Sequence, residues 1–338
     1  MPLDAITLTA VTAELRSVLL GGKVDKIYQP MKNLLVFFLR SKDFNGKLLL
    51  SADPSGARIQ LTEASFENPS SPPMLCMLLR KKLVGAKLTA IRQPKLERLV
   101  YLDFDTKNEL GDPIVLTVVA EVMGRNANII LCEENGRVID AVRRTDASDT
   151  TRILMPGVTY MPPPAGNDFD LLTHPIEKAI SSLSDCERRN LSTTLLSAVP
   201  GISPIVCREL SHKCLTPHGQ EDEILSPKEL SALTNELTVL KEILLSGKAI
   251  PTMVTDQKGK TLDFTFFAPT QYGNTVTLQN FDHFSALLDR FYAQRDQKAR
   301  AQSKTTRHLQ GATLPKARRE FSNSPPRTRQ KTPRSQAR

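Results

Sequence analysis

Between residues 24 and 143 the chain alternates short β-patterned segments with turn signals, and this alternation leaves little freedom in the fold. Val24–Gln29, Leu34–Arg40, Lys47–Ser51 and Arg58–Thr62 are strand-length, and Asn45-Gly46 and Asp53-Pro54 punctuate them, which predicts antiparallel pairing. Five further strand candidates run from Lys87 to Arg143. Two helices accompany them. Asp4 precedes Leu8, Val11, Leu15, Val18 and Leu19 at helical spacing, and Gly21-Gly22 stops the run. A second helix starts near Pro73, carries Leu75, Leu78 and Leu79 on one face, and ends at Arg80-Lys81-Lys82, cations suited to the C-terminal end of a helix dipole. The pattern predicts an α+β domain over residues 1–165, β-rich with flanking helices, of ordinary domain size.

Pro162-Pro163-Pro164 to Asp168 reads as a linker, and the period then turns helical. Ser184-x-x-Glu187 and Ser226-Pro227-Lys228-Glu229 are capping-box signatures, the second with Pro at the first helical position. Leu230, Leu233, Leu237, Leu240 and Leu244 continue the second helix to Gly247. Val199-Pro200-Gly201-Ile202-Ser203-Pro204 makes a tight turn between helices, so residues 168–248 are expected to form an inserted helical module. Pro251–Thr255 and Thr261–Phe267 read as a strand pair around Lys258-Gly259, expected to return over 249–280 to the sheet of the first domain. A last amphipathic helix uses Phe284, Leu287, Leu288 and Phe291, within a helical stretch expected over 281–310. Residues 311–338 are rich in Pro, Ser and Arg with almost no large apolar side chains. Such a segment cannot offset its ordering entropy and is expected to be disordered.

The 338 residues carry a formal charge of +9, but the charge is unevenly placed. Gln294 to Arg338 holds 13 Lys and Arg against Asp296 and Glu320, leaving 32 basic and 34 acidic side chains in the first 293 residues. A basic surface on the folded body must therefore be a local patch. Cys76, Cys132, Cys186, Cys207 and Cys214 are odd in number and scattered, without Cys-x-x-Cys or His at zinc-ligand spacing. Reduced thiols in the cytoplasm are the expectation, with no metal and no cofactor. No basic segment followed by an apolar run opens the chain, and the longest apolar runs, Leu34–Leu39 and Ile114–Ala120, are too short to span a bilayer. Phosphate-binding and hydrolase motifs are absent, and His174, His212, His218, His283 and His308 lie outside the α+β region. No catalytic residue is assigned.

Two stretches concentrate polar chemistry among strand-like residues: Gln93-Pro94-Lys95-Leu96-Glu97-Arg98-Leu99-Val100 and Glu121-Val122-Met123-Gly124-Arg125-Asn126-Ala127-Asn128. Glu97 and Arg98 at a strand mouth point to opposite faces. They read either as a solvated pair of little energetic worth or as an arginine fork for a phosphate or base edge, oriented by the acid. The second stretch reads as a strand kinked at Gly124, or as a cation and two amides, Arg125, Asn126 and Asn128, for sugar-phosphate contacts. Asp4 is an N-cap, a ligand group, or both. Pro200-Gly201-Ile202-Ser203 resembles the turn of helix-hairpin-helix modules, where Gly201 and Ser203 would hold a phosphate at a helix N-terminus; ordinary helix packing explains it equally well.

Taken with Asp25-Lys26-Ile27-Tyr28-Gln29-Pro30, these words resemble the NFACT family over about residues 1–300. These are RqcH-like ribosome quality-control factors, whose bacterial members carry the older name fibronectin-binding protein A. The family form of the first pair is Asp-Arg, and Glu97 lengthens the acid by a methylene. The form of the second is Glu-Ile-Met-Gly-Arg, and Val122 replaces Ile. The resemblance implies a cytoplasmic, ribosome-associated protein binding tRNA and the large ribosomal subunit with an obstructed peptidyl-tRNA. It would promote template-free, alanine-type tailing while the ribosome makes the peptide bonds, so the protein is expected not to be an enzyme. Asp4, Glu97, Arg98, Glu121, Arg125, Asn126 and Asn128 would face tRNA. Family members continue into a long coiled coil, whereas heptad patterning stops here after about Leu309, the sign of a truncated or frame-shifted end.

Two other classes remain open. One is a surface adhesin that binds fibronectin, as the older name implies. The other resembles formamidopyrimidine-type DNA glycosylases, which use an N-terminal proline amine. Met1-Pro2 fits that chemistry, but Leu3 stands where those enzymes have Glu.

Overall fold

The first helix starts where a carboxylate can satisfy its free amides. Asp4 Oδ1 accepts from the Thr7 amide at 2.6 Å and opens α1 (Ala5–Leu19), whose buried face comprises Ile6, Leu8, Val11, Leu15 and Leu19. Gly21, at φ +83°, turns the chain out of the helix, a conformation that glycine adopts without steric cost. The computed structural model describes residues 3–42, 44–146, 152–164, 168–217, 219–293 and 295–297. The tail expected to be disordered, 311–338, lies outside the described residues, as does Pro2.

Nine strands follow in a single antiparallel sheet: β1 (Lys23–Met31), β2 (Leu34–Arg40), β3 (Asn45–Ser51), β4 (Arg58–Leu61), β5 (Lys87–Arg92), β6 (Leu99–Lys107), β7 (Pro113–Glu121), β8 (Asn128–Glu133) and β9 (Val138–Ala141). The spatial order is β4-β3-β2-β1-β5-β6-β7-β8-β9. Helix α2 (Met74–Leu83) connects the two runs of hairpins. These runs meet over a short junction, where Lys23 faces Lys87. The sheet curls, so that Phe37 of β2 stacks with Phe104 of β6 at 6.2 Å and both join α1 in the main core.

Beyond the linker lie α3 (Glu177–Ser181), α4 (Leu191–Ala198), α5 (Pro204–Cys214) and α6 (Pro227–Leu245). The Ser226 box forms in full: its hydroxyl accepts from the Glu229 amide and Glu229 accepts from the Ser226 amide. The Ser184 box does not form. Arg188 and Arg189 donate their amides to Glu223 and Glu221, and Glu187 bridges to Ile224. This pairing holds Glu187 extended, a 3₁₀ turn over Arg188–Asn190 follows, and α4 begins only at Leu191.

The later strand pair is also corrected. β10 (Thr252–Asp256) and β11 (Thr261–Thr265) do not return to the nine-stranded sheet; with β12 (Val276–Asn280) they form a sheet of their own, in the order β11-β10-β12. The physical reason is visible at β4, where helical residues 284–293, α7, cover the sheet edge. There the Leu61 amide donates to Ser285 Oγ, and Asp289 accepts from Thr62, Gln60 and the Glu63 amide. At its start α7 is capped from a distance, because Glu14 of α1 accepts from the Phe284 and Ser285 amides at 2.7 and 3.2 Å. Residues 1–293 form one compact unit, and 294–338 cluster separately.

Candidate nucleic-acid interface

Three distant stretches converge at the start of α1. The first is the loop before β6. Its Gln93 Nε2 donates to the carbonyls of Ala5 and Glu97 at 3.0 and 2.9 Å. The second is the turn between α4 and α5, where Gly201 O accepts from the Ala5 and Ile6 amides at 2.9 and 3.2 Å. Gly201 has φ +93°, and a Cβ there would sit 2.9 Å from the Leu96 carbonyl oxygen. Only glycine permits both that conformation and that approach. The third is α1 itself. Together they enclose a cleft of about 240 Å³ lined by Asp4, Arg98, Gly201, Ile202 and Ser203.

Asp4 is 5% exposed and Ser203 4%. Asp4 Oδ1 caps α1, so the capping role is real. Its Oδ2, like Ser203 Oγ, is buried without a hydrogen-bond partner among the described residues. Burial pushes the Asp4 carboxyl up from its ordinary value. Ser203, close by but short of a formed bond, and Thr7 pull it back, while the charge of Asp263 adds to the rise. The carboxyl of Asp4 and the hydroxyl of Ser203 lie side by side and give the cleft a polar floor.

Arg98 is half-buried at the cleft wall. Its carbonyl accepts from the Val122 amide at 2.8 Å, and the neighbouring pair Leu99 and Glu121 begins the β6–β7 register. This pairing brings the second motif beside the first. Glu97 is also half-buried, and its carboxyl is raised by burial against the opposing charges of Lys95 and Arg98. After β7 comes a single 3₁₀ turn, Gly124–Asn126, which carries Arg125 and Asn126 to the exposed surface.

Two expected ligand residues face inward instead. Glu121 is 1% exposed; it pairs with both terminal nitrogens of Arg152 and accepts from Tyr160 Oη at 2.8 Å. With a charge partner and a hydroxyl in place, it is a buried brace. Asn128 is 3% exposed. It accepts from the Arg143 amide at 3.0 Å and donates to the Arg143 carbonyl at 2.8 Å, stapling β8 to the chain after β9. Arg143, Arg152 and Tyr160 carry no motif, and no sequence signal selected them. Among the described residues there is no group of three or more His, Cys, Asp or Glu able to hold a metal, and no helix long and apolar enough to cross a membrane.

The curled antiparallel sheet with its helical module is the architecture of a known class. The chain belongs to the NFACT family, matching its N-terminal and middle domains over residues 4–320. It is 35% identical over 301 residues to the Rqc2 homolog RqcH of Bacillus subtilis, an alignment covering 88% of this chain and 50% of that protein. To the human ribosome quality control complex subunit NEMF it is 25% identical over 313 residues, covering 86% of this chain and 28% of NEMF. The chain thus spans about half the length of RqcH. Among solved structures, the fibrinogen binding protein from Staphylococcus aureus superposes with a TM-score of 0.71 at 28% identity, covering 86% of this chain and 99% of that one. The N-terminal part of the fibronectin/fibrinogen-binding protein from Streptococcus suis gives 0.69 at 29%, with the same coverage.

Proposed function

We propose that this chain is the RNA-gripping part of a ribosome quality-control factor. In the cytoplasm it would hold tRNA on a large ribosomal subunit that carries an obstructed peptidyl-tRNA. It would promote template-free C-terminal tailing, of the alanine type, by positioning alone, leaving peptide-bond formation to the ribosome. The observation that carries this reading is the convergence of Asp4, Arg98 and Ser203 on one cleft, beside a turn that exposes Arg125 and Asn126. The relatives named for ribosome quality control support the process. The arrangement sorts the roles. A buried carboxyl and hydroxyl suit the edge of an unpaired base better than a phosphate, which Asp4 would repel. Arg98 and Arg125 suit the sugar-phosphate backbone, and Glu97, the chain neighbour of Arg98, would orient that guanidinium.

Fluorescence anisotropy with a labelled tRNA at low salt tests the reading. Arg98→Ala and Arg125→Ala should each weaken binding, and the double variant should abolish it. Undiminished affinity in both single variants would overturn the proposal. Fibronectin and fibrinogen binding are named for the solved relatives; immobilised fibronectin in the same assay gives that reading its own arm.

A further inference from the structure

We infer that Arg143 is a positioning residue that fixes the Arg125–Asn126 turn for RNA; the RNA part of the inference rests on the function proposed above. The turn needs an external hold. It is one 3₁₀ turn, closed by the Asn126 amide on Met123 O and the Ala127 amide on Gly124 O, both at 3.0 Å. A lone 3₁₀ turn has poor hydrogen-bond geometry, and its exposed Arg125 and Asn126 gain no order from burial. Left to itself, such a segment must be ordered when it binds, and that ordering weakens affinity.

Arg143 supplies the hold. Its Nη1 donates to the Arg125 carbonyl at 2.7 Å, and its Nη2 to the Ala52 carbonyl at 3.0 Å. Ala52 directly follows β3, in the other run of hairpins, so one guanidinium ties the turn to the opposite part of the curled sheet. The base of the side chain is itself immobile, because Asn128 clamps the Arg143 amide and carbonyl. The fork is specific to arginine. Two carbonyls are met at once by coplanar donors, whereas a lysine ammonium on a flexible stem lacks that fixed fork. The Arg125 side chain therefore leaves a backbone whose carbonyl is pinned.

Two measurements test this, one without RNA. Hydrogen exchange at the Asn126 and Ala127 amides should quicken at least about tenfold in Arg143→Ala, since the turn then opens locally; unchanged exchange would overturn the positioning role. In tRNA titrations Arg143→Ala should lose about tenfold in affinity, with an unchanged slope of log K against log salt, because no phosphate contact is removed. Arg125→Ala should instead reduce the slope by about 1. Arg143→Lys, which keeps the charge, should recover part of the affinity, and it remains measurable should the alanine variant fail to fold. Full affinity in Arg143→Ala, or a loss accompanied by a shallower slope, would sink the inference. If Arg125→Ala binds tRNA normally while the exchange result holds, the turn is still pinned by Arg143 and it is the tRNA reading that fails.

Discussion

Asp4 caps α1 with one oxygen and lines the cleft with the other, and the two can be separated. Asn caps a helix as well as Asp does, so Asp4→Asn should keep α1 while removing the buried charge. The folded carboxyl sits above its ordinary 3.8. The native state therefore binds the proton more tightly, and this group's contribution to stability is full below that value and lost as pH rises through the raised one. Chemical denaturation between pH 4 and 7 should show Asp4→Asn losing less stability than the parent as pH increases; an identical pH profile would refute the assignment. Glu229 has the opposite sign. Its carboxyl is held at about 2: burial raises it, but the Thr216 and Ser226 backbone bonds outweigh that, so its contribution is present above 4.5 and disappears as pH falls toward 2. Glu121 shows how a residue can mislead. Read along the chain, an acid before Gly124-Arg125 looks like part of a ligand site, because its partner Arg152 lies 31 residues on in a stretch with no pattern. Arg152→Ala would leave a wholly buried carboxylate with the Tyr160 hydroxyl but without its charge partner, costing about 3 kcal/mol. Glu121→Gln should cost less, since water still reaches Arg152. Urea unfolding of the two variants decides the order.

Elements were legible where the signal is local, and illegible where a distant partner decides. The nine strands and both early helices follow from period and turn residues alone. Ser184 and Ser226 carry the same four-residue signature, yet only Ser226 caps a helix, because residues 221–225 claim the chain beyond Ser184 for a pairing no local rule contains. Ser226→Ala should lower stability by about 1 kcal/mol, whereas Ser184→Ala should change it little; equal losses in thermal melts would contradict the structure. The strand character of β10 and β11 was also readable, but not their sheet. Hydrophobic alternation identifies a strand, and says nothing about which edge is already covered. Gly201 is the element-scale lesson for the cleft. Its replacement by Ala strains φ and presses on Leu96 O, a cost on the order of 1–3 kcal/mol. Calorimetry should register that loss along with weaker tRNA binding, since the three stretches separate there.

At the scale of the molecule, the net charge misleads until it is placed. The surplus of positive charge lies in residues 294–338, and the preceding body carries slightly more acid than base. RNA affinity of a fragment ending at residue 293 should therefore depend on few contacts and show a shallow salt slope; a steep one would mean that a wide basic field had been overlooked. The grouping of Asp4, Arg98 and Ser203 was only half readable. Each residue stood out alone, but nothing in the chain said that residues so far apart share one cleft, since that follows from how α1 is seated. Helix α1 bears Asp4 at one end and, about 15 Å further along, Glu14 against the first amides of α7. A rigid shift of α1 that widened the mouth around Asp4 would therefore also pull Glu14 away from the Phe284 amide, tying the first turn of α7 to the seating of the same rod.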